Sequence, residues 1–125
     1  MKIIIIYNEV RYVMIGVVVM FVQMRKMTVT EGNADLVVNR FGKPGIIEEQ
    51  EGFVDLTVME KKVRRGEEEV IVLIRWESEQ HWKQWEKSEA HIAGHKAKLG
   101  QSKPEYLLNS EGGLYDVKVV KKASN

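Results

Sequence analysis

The pattern of apolar and polar positions becomes regular from Met20 onward. Phe21 to Val29 alternates and is rich in β-formers, which predicts a strand. Thr30 can offer its hydroxyl as a helix cap, and Ala34, Leu36, Val37 and Phe41 repeat at helical spacing, predicting a first helix that ends near Gly42 to Pro44. Gly45 to Gly52 reads as a connection. Phe53 to Glu60 and Glu69 to Trp76 are two β-branched runs joined by the charged turn KKVRRGEE, a hairpin. Ser78 is placed to cap a helix carrying His81, Trp82 and Trp85, and Ser88 to cap a further series running through His95 to Leu99. Gly100 to Pro104 breaks it, and a last strand, Leu114 to Val120, follows a turn at Glu111-Gly112-Gly113. The order is β-α-β-β-α-β, the ferredoxin-like split βαβ arrangement of the α+β class, with a four-stranded antiparallel sheet.

Two helices cover only one face of such a sheet. The other is expected to be apolar, with Val54, Leu56 and Val58 alternating against Phe53, Asp55, Thr57 and Met59. A second copy is the economical cover, giving a homodimer whose sheets meet face to face.

The amino terminus, MKIIIIYNEVRYVMIGVVVMFV, has the look of a targeting or membrane segment. Glu9 and Arg11 interrupt it, however, and the uncharged run from Tyr12 to Met24 falls short of the roughly 20 apolar residues a spanning helix needs. No small-residue cleavage site follows. Residues 1–19 are therefore expected to be an appendage, either an extra strand or a leader translated ahead of Met20, and residues 20–125 one domain.

Composition narrows the chemistry. Of 125 residues 30% are charged, yet the net charge is +1, so no electrostatic case for nucleic acid arises. The chain has no cysteine, which excludes disulfides and thiolate sites and agrees with a cytoplasmic location. Any metal must sit on His, Asp, Glu, Tyr or Met. All three histidines and two of the three tryptophans fall between Ser78 and Leu99. His91 and His95 are four apart and share a helix face, as metal ligands would. The segment HIAGH has Ile92 and Ala93 where a zinc protease needs its glutamate, so a zinc hydrolase is not expected. A solvated His91 and a hydrogen-bonded boundary His95 would account for the pair equally well.

The string WKQWEKSEAHIAGHKAK resembles the second helix of the IsdG-type haem-degrading monooxygenases of the antibiotic-biosynthesis-monooxygenase superfamily. The resemblance extends over roughly residues 20–120: Thr28 to Gly32 with Asn39-Arg40-Phe41, Glu51-Gly52-Phe53, Pro104-Glu105-Tyr106 and Tyr115-Asp116-Val117 fall in that family's order. It implies haem as both substrate and prosthetic group, consumed with O2 and electrons from a separate reductase or small reductant, with release of iron. His95 falls on the axial iron ligand. Trp85 falls on the tryptophan that pushes the porphyrin out of plane, and Phe41 joins these two in the haem site. A neutral imidazole is a suitable axial ligand, and Ala90, Ala93 and Gly94 would let a flat macrocycle come close. The family's distal asparagine falls on Arg25, a departure from the pattern. Gln23 and Arg25 share a strand face, and either could donate a hydrogen bond there. Two other functions fit the same cleft: a cofactor-free monooxygenase of a small aromatic substrate, and a non-catalytic haem-binding protein.

Overall fold

The structure, a computed structural model, describes residues 20–124; the expected appendage of residues 1–19 lies outside the described residues. In chain order the elements are β1 (Phe21–Val29), α1 (Ala34–Gly42), a 3-10 turn at Ile47–Glu49, β2 (Phe53–Glu60), β3 (Glu68–Trp76), α2 (Glu79–Lys87), α3 (Glu89–Lys98) and β4 (Leu107–Asp116). The strands form one antiparallel sheet in the order β2-β3-β1-β4. The ferredoxin-like expectation is met, with its second helix split in two.

Register decides which side chains meet the helices. Met27 pairs with Val70, Arg25 with Val72, Gln23 with Ile74 and Phe21 with Trp76. Their common face carries the core of Met27, Val29, Val70 and Val72, closed by Ala34 and Val37 of α1. Fully burying a Val or Met side chain stabilises by about 1.5–3 kcal/mol, and a one-residue slip would turn all of them outward. Along α1 the inward stripe is Ala34, Val37, Val38 and Phe41; Leu36, read as part of the stripe, is exposed. The start of α1 also differs from expectation. Asn33 is the cap residue and Thr30 accepts from the Asn33 side chain, while the Ala34 N–H donates to Glu68 Oε1 of β3 at 2.9 Å.

Two further expectations change. β4 starts at Leu107, and Glu111-Gly112-Gly113, read as a turn, lies inside the strand paired with Lys26, Arg25 and Met24. Val117 to Val120 lies beyond the strand. Leu56 and Val58 belong to the helix-covered face, packed against the core, because β2 has a bulge between Phe53 and Asp55 that resets its alternation. The uncovered face carries Val22, Met24, Ile71, Leu73, Thr57, Met59 and Tyr115, given by their register partners. An Arg75–Asp55 ion pair (3.0 Å) marks one end of it, and Lys26 between Glu69 and Glu111 (4.0 Å each) the other. Among the described residues no helix is long and apolar enough to cross a membrane.

Candidate functional site

Two serines build the corner that creates the site. Ser78 Oγ accepts from the His81 N–H and meets His81 Nδ1 at 2.7 Å, starting α2. Trp82 packs on Phe21 with ring centroids 5.4 Å apart, which fixes α2 against the sheet. Ser88 then closes one helix and opens the next. Its N–H and hydroxyl both donate to Trp85 O, and its Oγ accepts from the His91 N–H at 3.2 Å. Because Ser88 is extended (φ −68, ψ 152), α3 leaves in a new direction and brings His91 back toward Trp85.

Three aromatic rings line up across that corner. The edge of Trp85 meets His91 at 5.0 Å between centroids, and His91 meets His95 at 4.4 Å. His91 Nε2 lies 3.0 Å from His95 Nε2 and 3.2 Å from Glu86 Oε2. The His91 side chain is only 18% exposed. Burial holds its pKa below the usual value against the opposing pull of Glu86, and the His95 and Lys98 charges push the same way as burial. Of the alternative account of the pair, the solvated His91 does not hold, because that side chain is largely buried and bonded; His95 is hydrogen-bonded, to His91, but exposed.

Between α3 and the end of α1 runs a cleft of about 500 Å³. Leu56 and Ile74 of the sheet form its apolar floor. Phe41, Ile46 and Ile47 make one side; Trp85, Ala90, His91, Gly94 and His95 make the other. Gly45, Glu48, Arg40, Lys43 and Lys98 complete the lining; the Glu48 carboxylate accepts from the Gly45 N–H, and among the described residues none of the three cations is ion-paired with a carboxylate. Burial, then the Arg40 and Arg25 charges, depress the Lys98 pKa, so these cations crowd one another.

Of the residues singled out from the sequence, the cleft brings Trp85, His95 and Phe41 together. Gln23 and Arg25 do not line it. Arg25 Nη2 instead donates to Ser110 Oγ of β4 at 3.1 Å, while Gln23 pairs with Ile74 of the floor. Sequence reasoning missed the inward placement of His91 and the cations Arg40 and Lys98. The four-residue spacing of the histidines and the helix start at Ser88 were visible; the direction in which that corner turns His91 was not.

The chain belongs to the antibiotic biosynthesis monooxygenase family, whose profile matches residues 20–97. It is 65% identical over 105 residues to the heme-degrading monooxygenase HmoA of Bacillus subtilis, covering 84% of this chain and 97% of that one. A crystal structure of a putative monooxygenase of the same family from Bacillus cereus superposes with a TM-score of 0.74 at 50% identity, over 84% of this chain and 99% of that one. The heme degrader MhuD of Mycobacterium tuberculosis, solved with two hemes in its active site, shares the fold: TM-score 0.59, 19% identity, 82% and 99% coverage.

Proposed function

We propose that this protein is a haem-degrading monooxygenase that binds haem in the cleft beside α3, with His95 as the axial iron ligand. One observation carries the reading. The cleft sets an exposed imidazole beside an apolar, partly aromatic slot flanked by three cations that are not ion-paired among the described residues, against one lining carboxylate, Glu48, which suits a flat apolar ring with carboxylate side chains. The 65% identity to HmoA supports the same reading. Bound haem supplies the redox chemistry, with O2 and electrons from a separate donor, and its iron is released.

The chain's own part is binding, orientation and exclusion of water. Freeing His95 Nε2 for iron breaks its bond to His91, which keeps Glu86 as its neighbour. Trp85 and Phe41 bound the slot sterically, and Ala90 and Gly94 leave α3 low enough for a flat ring to approach. A distal hydrogen bond from Arg25 or Gln23, both on the helix-covered sheet face but outside the cleft lining, would require the side chain to turn toward the slot, Arg25 leaving Ser110. A homodimer formed through the uncovered sheet face and a cytoplasmic location belong to the same proposal. The test is a haem titration followed by ascorbate in air. A Soret band that forms and then bleaches is expected; a chain that stays colourless with haem would overturn the reading.

A further inference from the structure

We propose that His91 and His95 also form a bidentate site for a divalent late transition-metal ion in the haem-free chain, and that an ion held there excludes haem. The two ligating nitrogens already stand 3.0 Å apart on one helix. That is the separation of neighbouring ligands around an ion with metal–nitrogen bonds of about 2.0–2.1 Å, so chelation needs the shared proton to leave and the two rings to tilt toward the ion, with no movement of the helix. Both residues lie within the ten residues of α3, whose start is fixed by Ser88, so little flexibility is lost on binding. His95 is exposed and the cleft is open beside it, which gives an ion access.

The donor set selects the ion. Two imidazoles suit copper(II), nickel(II) and zinc, whereas magnesium and calcium need oxygen cages that this helix lacks. Among the described residues no three His, Asp or Glu side chains are arranged to hold a metal ion, so the remaining positions stay open to water or to a rotated Glu86. The Glu86 carboxylate beside His91 offsets the charge of the ion, and Lys98 nearby opposes it. Copper(II), the tightest-binding of the divalent series, is therefore the sensitive probe.

Exclusion follows from shared use of one nitrogen: His95 cannot ligate an ion beside His91 and haem iron together. This clause rests on the proposed haem function; the chelate itself does not. The test titrates copper(II) into the haem-free full-length chain by calorimetry, with electron paramagnetic resonance counting nitrogen ligands, and circular dichroism confirming that each variant folds. Wild type should bind one ion with two imidazole nitrogens, and His91→Ala and His95→Ala should each weaken binding at least about tenfold, with His81→Ala unchanged. Equal binding by wild type and His91→Ala, or a single imidazole in the spectrum, would overturn the chelate. Zinc should then weaken haem binding by wild type and leave that of His91→Ala unchanged. Haem binding by wild type that is indifferent to zinc would overturn the exclusion. A chain that takes no haem even without zinc refutes the haem function, and the copper isotherm still decides the chelate.

Discussion

At the scale of single residues, His91 stands between Trp85 and His95, so the three rings can be separated by their failures. His95→Ala removes the proposed iron bond, and the Soret band should shift or vanish with haem affinity down about tenfold or more. His91→Ala should keep the band. Trp85→Ala should bind haem yet bleach it slowly, because the proposed wall against the ring is gone while the proposed iron ligand remains. A titration and a single-turnover bleach of each variant distinguish these cases, and loss of the band in His91→Ala alone would move the ligand one helical turn. Gly52 makes a separate point. It holds φ +83, its carbonyl accepts from the Glu77 N–H at 2.8 Å, and a side chain there would run into the His81 ring. Gly52→Ala combines left-handed strain with overpacking and should cost about 2–3 kcal/mol in denaturant unfolding.

At the scale of elements, the caps show what a linear reading can see. Ser78 and Ser88 act on N–H groups three residues ahead, and both were legible. The cap of α1 was not, because its acceptor Glu68 is 34 residues away on β3. Its bonds to the Ala34, Gly32 and Asn33 backbone hold the Glu68 carboxyl below its usual range against a smaller desolvation penalty. A depressed folded-state pKa contributes stability that is present above the ordinary glutamate value and lost as pH falls through the folded value. Glu68→Gln should therefore melt lower than wild type at neutral pH, and the gap should narrow as pH falls below the ordinary glutamate value of about 4.3; a gap independent of pH would refute the charge role. β4 was misplaced for a similar reason. Gly112 and Gly113 resemble a turn, yet β1 holds them as strand, and the Tyr115 ring occupies the space that a side chain at Gly113 would need.

At the scale of the molecule, the order of elements and the Trp85, His95 and Phe41 grouping could be read from the sequence, whereas the two faces of β2 were exchanged. A single bulge at the start of β2 reverses which of its side chains point to the helices. The faces can be told apart by where a charge is tolerated. Leu73→Glu lies on the uncovered face and should leave a folded chain that sediments as a monomer. Leu56→Glu sits in the cleft floor against the core and should unfold the chain or abolish haem binding. A folded dimer in Leu73→Glu would remove this face from the interface. Since the family match begins at residue 20, deletion of residues 1–19 should leave haem uptake and sedimentation unchanged, and loss of folded protein would show that the segment packs on the domain. Ser88 has a consequence for how such a chain can diversify. As the joint at which one helix stops and another starts, it separates an anchoring piece, with Trp82 set on the sheet, from a piece that carries His91 and His95. Residues inserted at that joint would carry both histidines along as a unit, keeping their mutual spacing while sliding them past Trp85. One framework can thereby tune the distance between its histidines and Trp85 without rebuilding either.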